Sequence, residues 1–200
     1  LRHLELSIAM EGLRGADVPL TYFIQLNQYR PARPGDPLPE PGEWLSERWR
    51  ARHPDLPALD ELLAEGRMLL LLDALNEMPA SSLPGFRKRV GLWKDWLVRL
   101  TGEQPGNRVV FSCRSLDYSQ PLSTPALRVP QVRIEPMDDA AVQGFLRAYV
   151  PDRFEAVWDR LAGSRQLEVV RSPYFLKLLV DQVDATGEVP TGRSGLFTGF

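Results

Sequence analysis

The chain is 200 residues long, 44% hydrophobic and 25% charged, with a formal net charge of −2. That balance gives no overall pull toward nucleic acid or an anionic membrane, and the length suits one α/β domain or a core with a small helical appendage. No apolar run reaches the roughly 18–20 residues that span a bilayer, and no signal-peptide pattern opens the chain. The single cysteine, Cys113, excludes an internal disulfide and fits a reducing, cytoplasmic setting. His3 and His53 have no cysteine partners at ligand spacing, which argues against structural zinc.

Residues 1–14 carry a helical pattern closed by Gly12 or Gly15. Leu1 is not an initiator methionine and Phe200 lies in an apolar stretch, so the chain reads as a segment of a longer protein. Val18–Leu26 is rich in β-branched and aromatic residues and predicts a buried strand. The proline-rich stretch 30–42 predicts a surface loop. Short helices are expected over Glu43–Arg52, where Trp44 and Trp49 face inward, and over Leu59–Glu65. Basic residues interleave with those tryptophans, but acids interrupt them, so a solvated helix face is the better reading than a nucleic-acid contact.

Arg67–Asp73 predicts a strand, Leu83–Leu100 a helix with Pro84 in its first turn and Gly102 at its end, and Val109–Cys113 a further strand. Val132–Ile134 is a third strand-like run in this half. Strands alternating with helices imply a mostly parallel sheet covered on both faces. After Pro136 only helices are expected: one capped by Asp138, then 151–163 and 173–185.

The chemistry concentrates at strand ends. Met68-Leu69-Leu70-Leu71-Leu72 runs directly into Asp73, and Glu77 follows four residues later. Asp73 either caps the turn after a buried strand or orients Mg²⁺ or its water shell, with Glu77 positioning an attacking water. Arg114 follows the strand Val109–Cys113 and either pairs with Asp117 on the surface or contacts a γ-phosphate. In a parallel sheet both strand tips border one crevice. Ser172-Pro173 fits a helix cap and first helical position without any further role. Cys113 reads as a small buried strand residue rather than a nucleophile.

Taken in order, these segments resemble the NACHT group of STAND signalling NTPases, particularly its bacterial NLR-like members. Met68–Glu77 followed by Met78-Pro79 resembles the Walker B strand, and Val109–Tyr118 the sensor 1 strand. Val132–Met137 with the helix containing Phe145-Leu146 resembles the exit into the helical subdomain. Ser172-Pro173-Tyr174-Phe175-Leu176 resembles the helix whose proline packs on the adenine base, and Gly187–Phe197 the approach to a winged-helix subdomain.

The resemblance implies an ASCE/AAA+-like P-loop NTPase core over 1–136 that lacks its first strand and P-loop, a helical subdomain over 137–187, and a linker toward a winged helix over 188–200. It implies an intracellular ATP-dependent defence or signalling switch, ATP being preferred to GTP by family habit alone. Nucleotide exchange would drive self-oligomerisation; the sensed ligand and effector domain stay open. Asp73 would assist Mg²⁺, directly or through water, Asn76 and Glu77 would assist hydrolysis, Arg114 would sense the γ-phosphate, and Pro173 would contact the base.

Three departures stand out. Asn76 replaces the family's aspartate, Ala74 replaces glycine, and no Gly-x-x-x-x-Gly-Lys-Ser/Thr loop occurs in residues 1–200. Leu1-Arg2-His3-Leu4 resembles the helix that would directly follow such a loop. A degenerate NACHT-like scaffold that binds partners without hydrolysis therefore stands as the alternative, and an unrelated α/β domain with strand-end acids as a third reading.

Overall fold

The computed structural model describes residues 1–33, 35–115, 117–118, 120–190 and 195. Its centre is a parallel three-stranded sheet in the order β1-β2-β3, formed by Leu20–Gln25, Met68–Asp73 and Arg108–Phe111. The register pairs Ile24 with Leu72 and Leu72 with Phe111. β2 is central because its apolar residues alternate between two covered faces. Met68, Leu70 and Leu72 pack with Tyr22 and Ile24 into the main core, while Leu69 and Leu71 pack with Phe23 on the other side.

Helix α1 (Arg2–Leu13) covers that second face with Ile8, together with Leu1 just ahead of it. The main core is closed by α2 (Pro41–Arg52), α3 (Leu59–Ala64) and α4 (Leu83–Glu103). Trp44 and Trp49 are buried as expected. Trp93 of α4 is fully buried and meets Tyr29, Trp44, Trp96 and Phe111 edge-on, the arrangement that ring quadrupoles favour. The α3–β2 connection turns at Gly66, φ +68°, where a Cβ would lie 2.5 Å from the Pro105 carbonyl oxygen. Only glycine tolerates both the angle and the approach.

Several boundaries differ from expectation. Pro41 and Gly42 belong to α2 rather than to the preceding loop, because the Glu40 carboxylate accepts from the Gly42 and Glu43 amides and starts the helix early. Helix α4 runs past Gly102 to Glu103. Strand β3 stops at Phe111, so Cys113 and Arg114 lie beyond it, and Cys113 is half-buried rather than a strand residue. Val132–Ile134 is not a strand: Val132 is 97% and Ile134 89% exposed, and no described strand pairs with them. Alternation alone does not make a strand when no partner supplies the ladder.

The chain divides into two compact units, Leu1–Gln131 and Val132–Phe200. The second contains α5 (Asp139–Tyr149), α6 (Phe154–Leu161), α7 (Arg165–Val170) and α8 (Pro173–Thr186) around its own core of Val142, Leu146, Leu161, Leu176 and Leu179. Asp138 caps α5 through the Ala141 amide, at 2.7 Å. Arg171 ties α7 to the start of α5, donating to the Met137 carbonyl at 2.9 Å and pairing with Asp139 at 2.6 Å and Glu168 at 3.2 Å. Helix α7 falls in the gap between the expected helices 151–163 and 173–185. Most of the expected approach to a winged helix lies outside the described residues. No helix among the described residues is long and apolar enough to cross a membrane.

Two buried tyrosines link the core to pH. Burial pushes the Tyr22 phenol from 10.0 up to about 12, against the pull of Arg52 and Arg48. Burial, with Glu40 adding, raises Tyr29 further, against Arg89. A raised phenol favours the neutral form in the folded state, so the associated stability is whole below pH 10 and is lost as pH rises through the folded-state value. Tyr22 Oη has no hydrogen-bond partner among the described residues, whereas Tyr29 Oη donates to the Pro39 carbonyl at 2.5 Å. Tyr22→Phe is expected to leave urea-measured stability at pH 7 unchanged or slightly raised and to flatten its decline between pH 10 and about 12. A marked loss at pH 7 would contradict this.

Candidate functional site

Asp73 is the last residue of β2 and half-buried at the carboxyl edge of the sheet. The β2–β3 register that pairs Leu72 with Phe111 sets the next residues, Asp73 and Ser112, side by side. Ser112 Oγ donates to Asp73 Oδ1 at 2.5 Å and accepts from the Ala74 amide at 2.8 Å. The backbone continues the join: Ser112 N–H donates to the Leu72 carbonyl at 3.0 Å, and Leu75 N–H to the Ser112 carbonyl at 2.8 Å.

After Asp73 the chain turns sharply. Ala74 adopts φ 60° and ψ 58°, the one non-glycine residue with positive φ among the described residues, and a 3-10 turn, Leu75–Glu77, follows. Asp73 does not cap this turn. The cap position falls on Ala74, with no side-chain cap bond, and Asp73 instead receives the Ser112 hydroxyl. Among the described residues its second carboxylate oxygen takes no hydrogen bond, which leaves it available at the rim of the sheet.

The turn carries Asn76 and Glu77 toward the segment after β3. Asn76 Oδ1 accepts from the Arg114 amide at 3.1 Å, and Asn76 Nδ2 donates to Asp117 Oδ2 at 3.2 Å. Arg114 Nη2 pairs with Glu77 Oε1 at 3.2 Å, so its partner is Glu77 and not Asp117. The arginine is 72% and the glutamate 41% exposed. An ion pair this open contributes at most about 1 kcal/mol and is readily exchanged. Burial pushes the Cys113 thiol up, with Asp117 adding and a hydrogen bond from the Asn76 backbone opposing. The thiol lies 3.4 Å from the Arg114 carbonyl, and the shift runs against a thiolate nucleophile.

Asp73, Asn76, Glu77 and Arg114 thus share one hydrogen-bonded cluster within the first unit. Pro173 belongs to the second unit, at the start of α8. Ser172 occupies the α8 cap position, but its side chain makes no cap bond. Two members of the cluster went unassigned in the sequence: Ser112 and, as a partner of Asn76, Asp117. The hydroxyl two residues ahead of Arg114 was the available signal for Ser112, and it acquires meaning only from the β2–β3 register. No group of three or more His, Cys, Asp or Glu side chains comes together as a metal cage among the described residues.

No family model, curated protein or solved structure matches this chain. The class that the geometry itself defines is an α/β protein with a small parallel sheet and a mixed acid–base cluster at the sheet's carboxyl edge.

Ala74→Gly should raise stability by about 1 kcal/mol in urea unfolding, since glycine adopts the left-handed angles without the Cβ clash. Ser112→Ala should lower it by about 1–3 kcal/mol, because the Ala74 amide loses its acceptor and Asp73 its donor. Ser112→Thr keeps the hydroxyl and should recover most of that loss; equal behaviour of the Ala and Thr variants would contradict the bridging role.

Proposed function

We propose that this chain supplies the Walker B and sensor 1 half of a nucleotide-hydrolysing switch of the NACHT/STAND type. The observation that carries the proposal is the convergence of Asp73, Glu77 and Arg114 at the carboxyl ends of two adjacent parallel strands. Ligands of open parallel sheets bind at that edge, and a strand-tip carboxylate beside a movable cation is what a metal-bound polyphosphate needs.

The residues fit the expected group in kind. Asp73 presents one carboxylate oxygen fixed by Ser112 and one without a donor among the described residues, suited to Mg²⁺ or to a water in its shell. Mg²⁺ bound with ATP would supply charge neutralisation across the β- and γ-phosphates. Arg114 is exposed, and among the described residues its guanidinium is paired only with Glu77, so it can transfer to a phosphate, where charge-assisted paired hydrogen bonds are stronger. Glu77, once released, can accept a hydrogen bond from an attacking water and orient it. Pro173 would contact the base, as the resemblance implies. The main phosphate cradle is not among residues 1–200 and would come from elsewhere in the protein. Nucleotide-driven self-association and a cytoplasmic signalling role belong to the same proposal.

In the full-length protein, Glu77→Gln should slow ATP turnover by about 10²-fold or more while nucleotide affinity stays within a few-fold. Steady-state hydrolysis and equilibrium binding measured side by side check this. Unchanged turnover removes Glu77 from the reaction, and an unsubstituted protein that binds nucleotide without turnover favours the non-hydrolysing scaffold.

A further inference from the structure

Asn76 uses both ends of its amide. Its oxygen accepts from the Arg114 backbone amide and its nitrogen donates to the Asp117 carboxylate. The Asp117 amide in turn donates to the Arg114 carbonyl at 3.0 Å, so a single side chain grips two residues that are themselves hydrogen-bonded to each other. Only a side chain with an acceptor and a donor on one planar group can do this. An aspartate at 76 would still accept from Arg114 but would confront Asp117 with a second carboxylate across a gap that now measures 3.2 Å.

We propose that Asn76 and Asp117 are a matched positioning pair that fixes the loop bearing Arg114 and so sets its guanidinium on Glu77. Asn76 is then the residue that Asp117 requires, and the absent charge at 76 is compensated across the site. Among the described residues, the charged or titratable groups beside the pair are Glu77 and Tyr118, adjacent in the chain, and Cys113 and Arg114, across from Asn76. Asp73 is engaged by Ser112 instead. The consequence for turnover rests on the nucleotide reading above, whereas the pairing itself does not.

A double-mutant cycle on the full-length protein tests the pair. Asn76→Asp is expected to lower Tm by about 2–4 °C at pH 8. The deficit should shrink on acidification toward pH 4. The crowded carboxylates have a raised folded-state pKa, so their repulsion is present above that value and disappears as pH falls through it. Adding Asp117→Asn to Asn76→Asp should restore Tm, because the carboxylate at 76 then accepts from both the Arg114 amide and the new amide opposite. With Mg-ATP, Asn76→Asp should lower kcat severalfold with little change in KM, and the double variant should recover it. A Tm deficit that is absent, insensitive to pH or not repaired by the second substitution overturns the pairing. If the stability pattern holds but the unsubstituted protein neither binds nor hydrolyses nucleotide, the pairing stands and the nucleotide reading falls.

Discussion

The burial of β2 on both of its faces is the constraint on which the other features depend. Leu70, Leu71 and Leu72 are wholly inaccessible, and each such side chain contributes on the order of 1.5–3 kcal/mol relative to exposure. Because successive residues serve opposite faces, a slip of one position would exchange Met68, Leu70 and Leu72 with Leu69 and Leu71 against differently shaped cores. Apolar packing therefore sets the register of β2 against β3. That register, and not any polar attraction, delivers Asp73 beside Ser112. The polar cluster is a consequence of hydrophobic pattern carried to the sheet's edge.

At that edge the backbone is strained in one place and well bonded around it. Ala74 holds left-handed angles that cost an alanine roughly 1–2 kcal/mol. Its amide meets the Ser112 hydroxyl, and the next amide meets the Ser112 carbonyl, so one residue of β3's exit fixes two consecutive residues of the turn. Those bonds hold the conformation against its intrinsic preference. They also turn the chain so that Asn76 and Glu77 face the segment after β3.

The parts of this arrangement that were legible in the sequence are the local ones. The apolar run ending at Asp73 marked a buried strand. The helical period over 83–100 and the Asp138 cap marked α4 and α5. What was not legible depends on partners distant in sequence. Val132–Ile134 alternates like a strand yet has no strand to pair with among the described residues, and α7 is a six-residue helix too short to show a period. Arg114 was assigned a choice between a ligand and Asp117, but its partner is Glu77, 37 residues away. Ser112 and Asp117 carry no signal of their own until a register places them. Asn76 looked like a lost charge because sequence shows the residue at 76 without the carboxylate that faces it.

The cluster has a fixed half and a movable half, and the distinction follows from burial. Asp73 and Ser112 are half-buried and joined by a 2.5 Å hydrogen bond to a charged acceptor, reinforced by backbone bonds on either side. Glu77 and Arg114 lie outward, where water competes for both groups and their attraction is weak. Between them, Asn76 binds backbone on one side and a carboxylate on the other, so the loop is held firmly while the guanidinium it carries is restrained by an exposed ion pair. A rigid acid next to a restrained but exchangeable cation can register the arrival of an anion without rebuilding the sheet beneath it. Transfer of Arg114 to such an anion would uncover Glu77 in the same movement, so that sensing charge and freeing a carboxylate become one event.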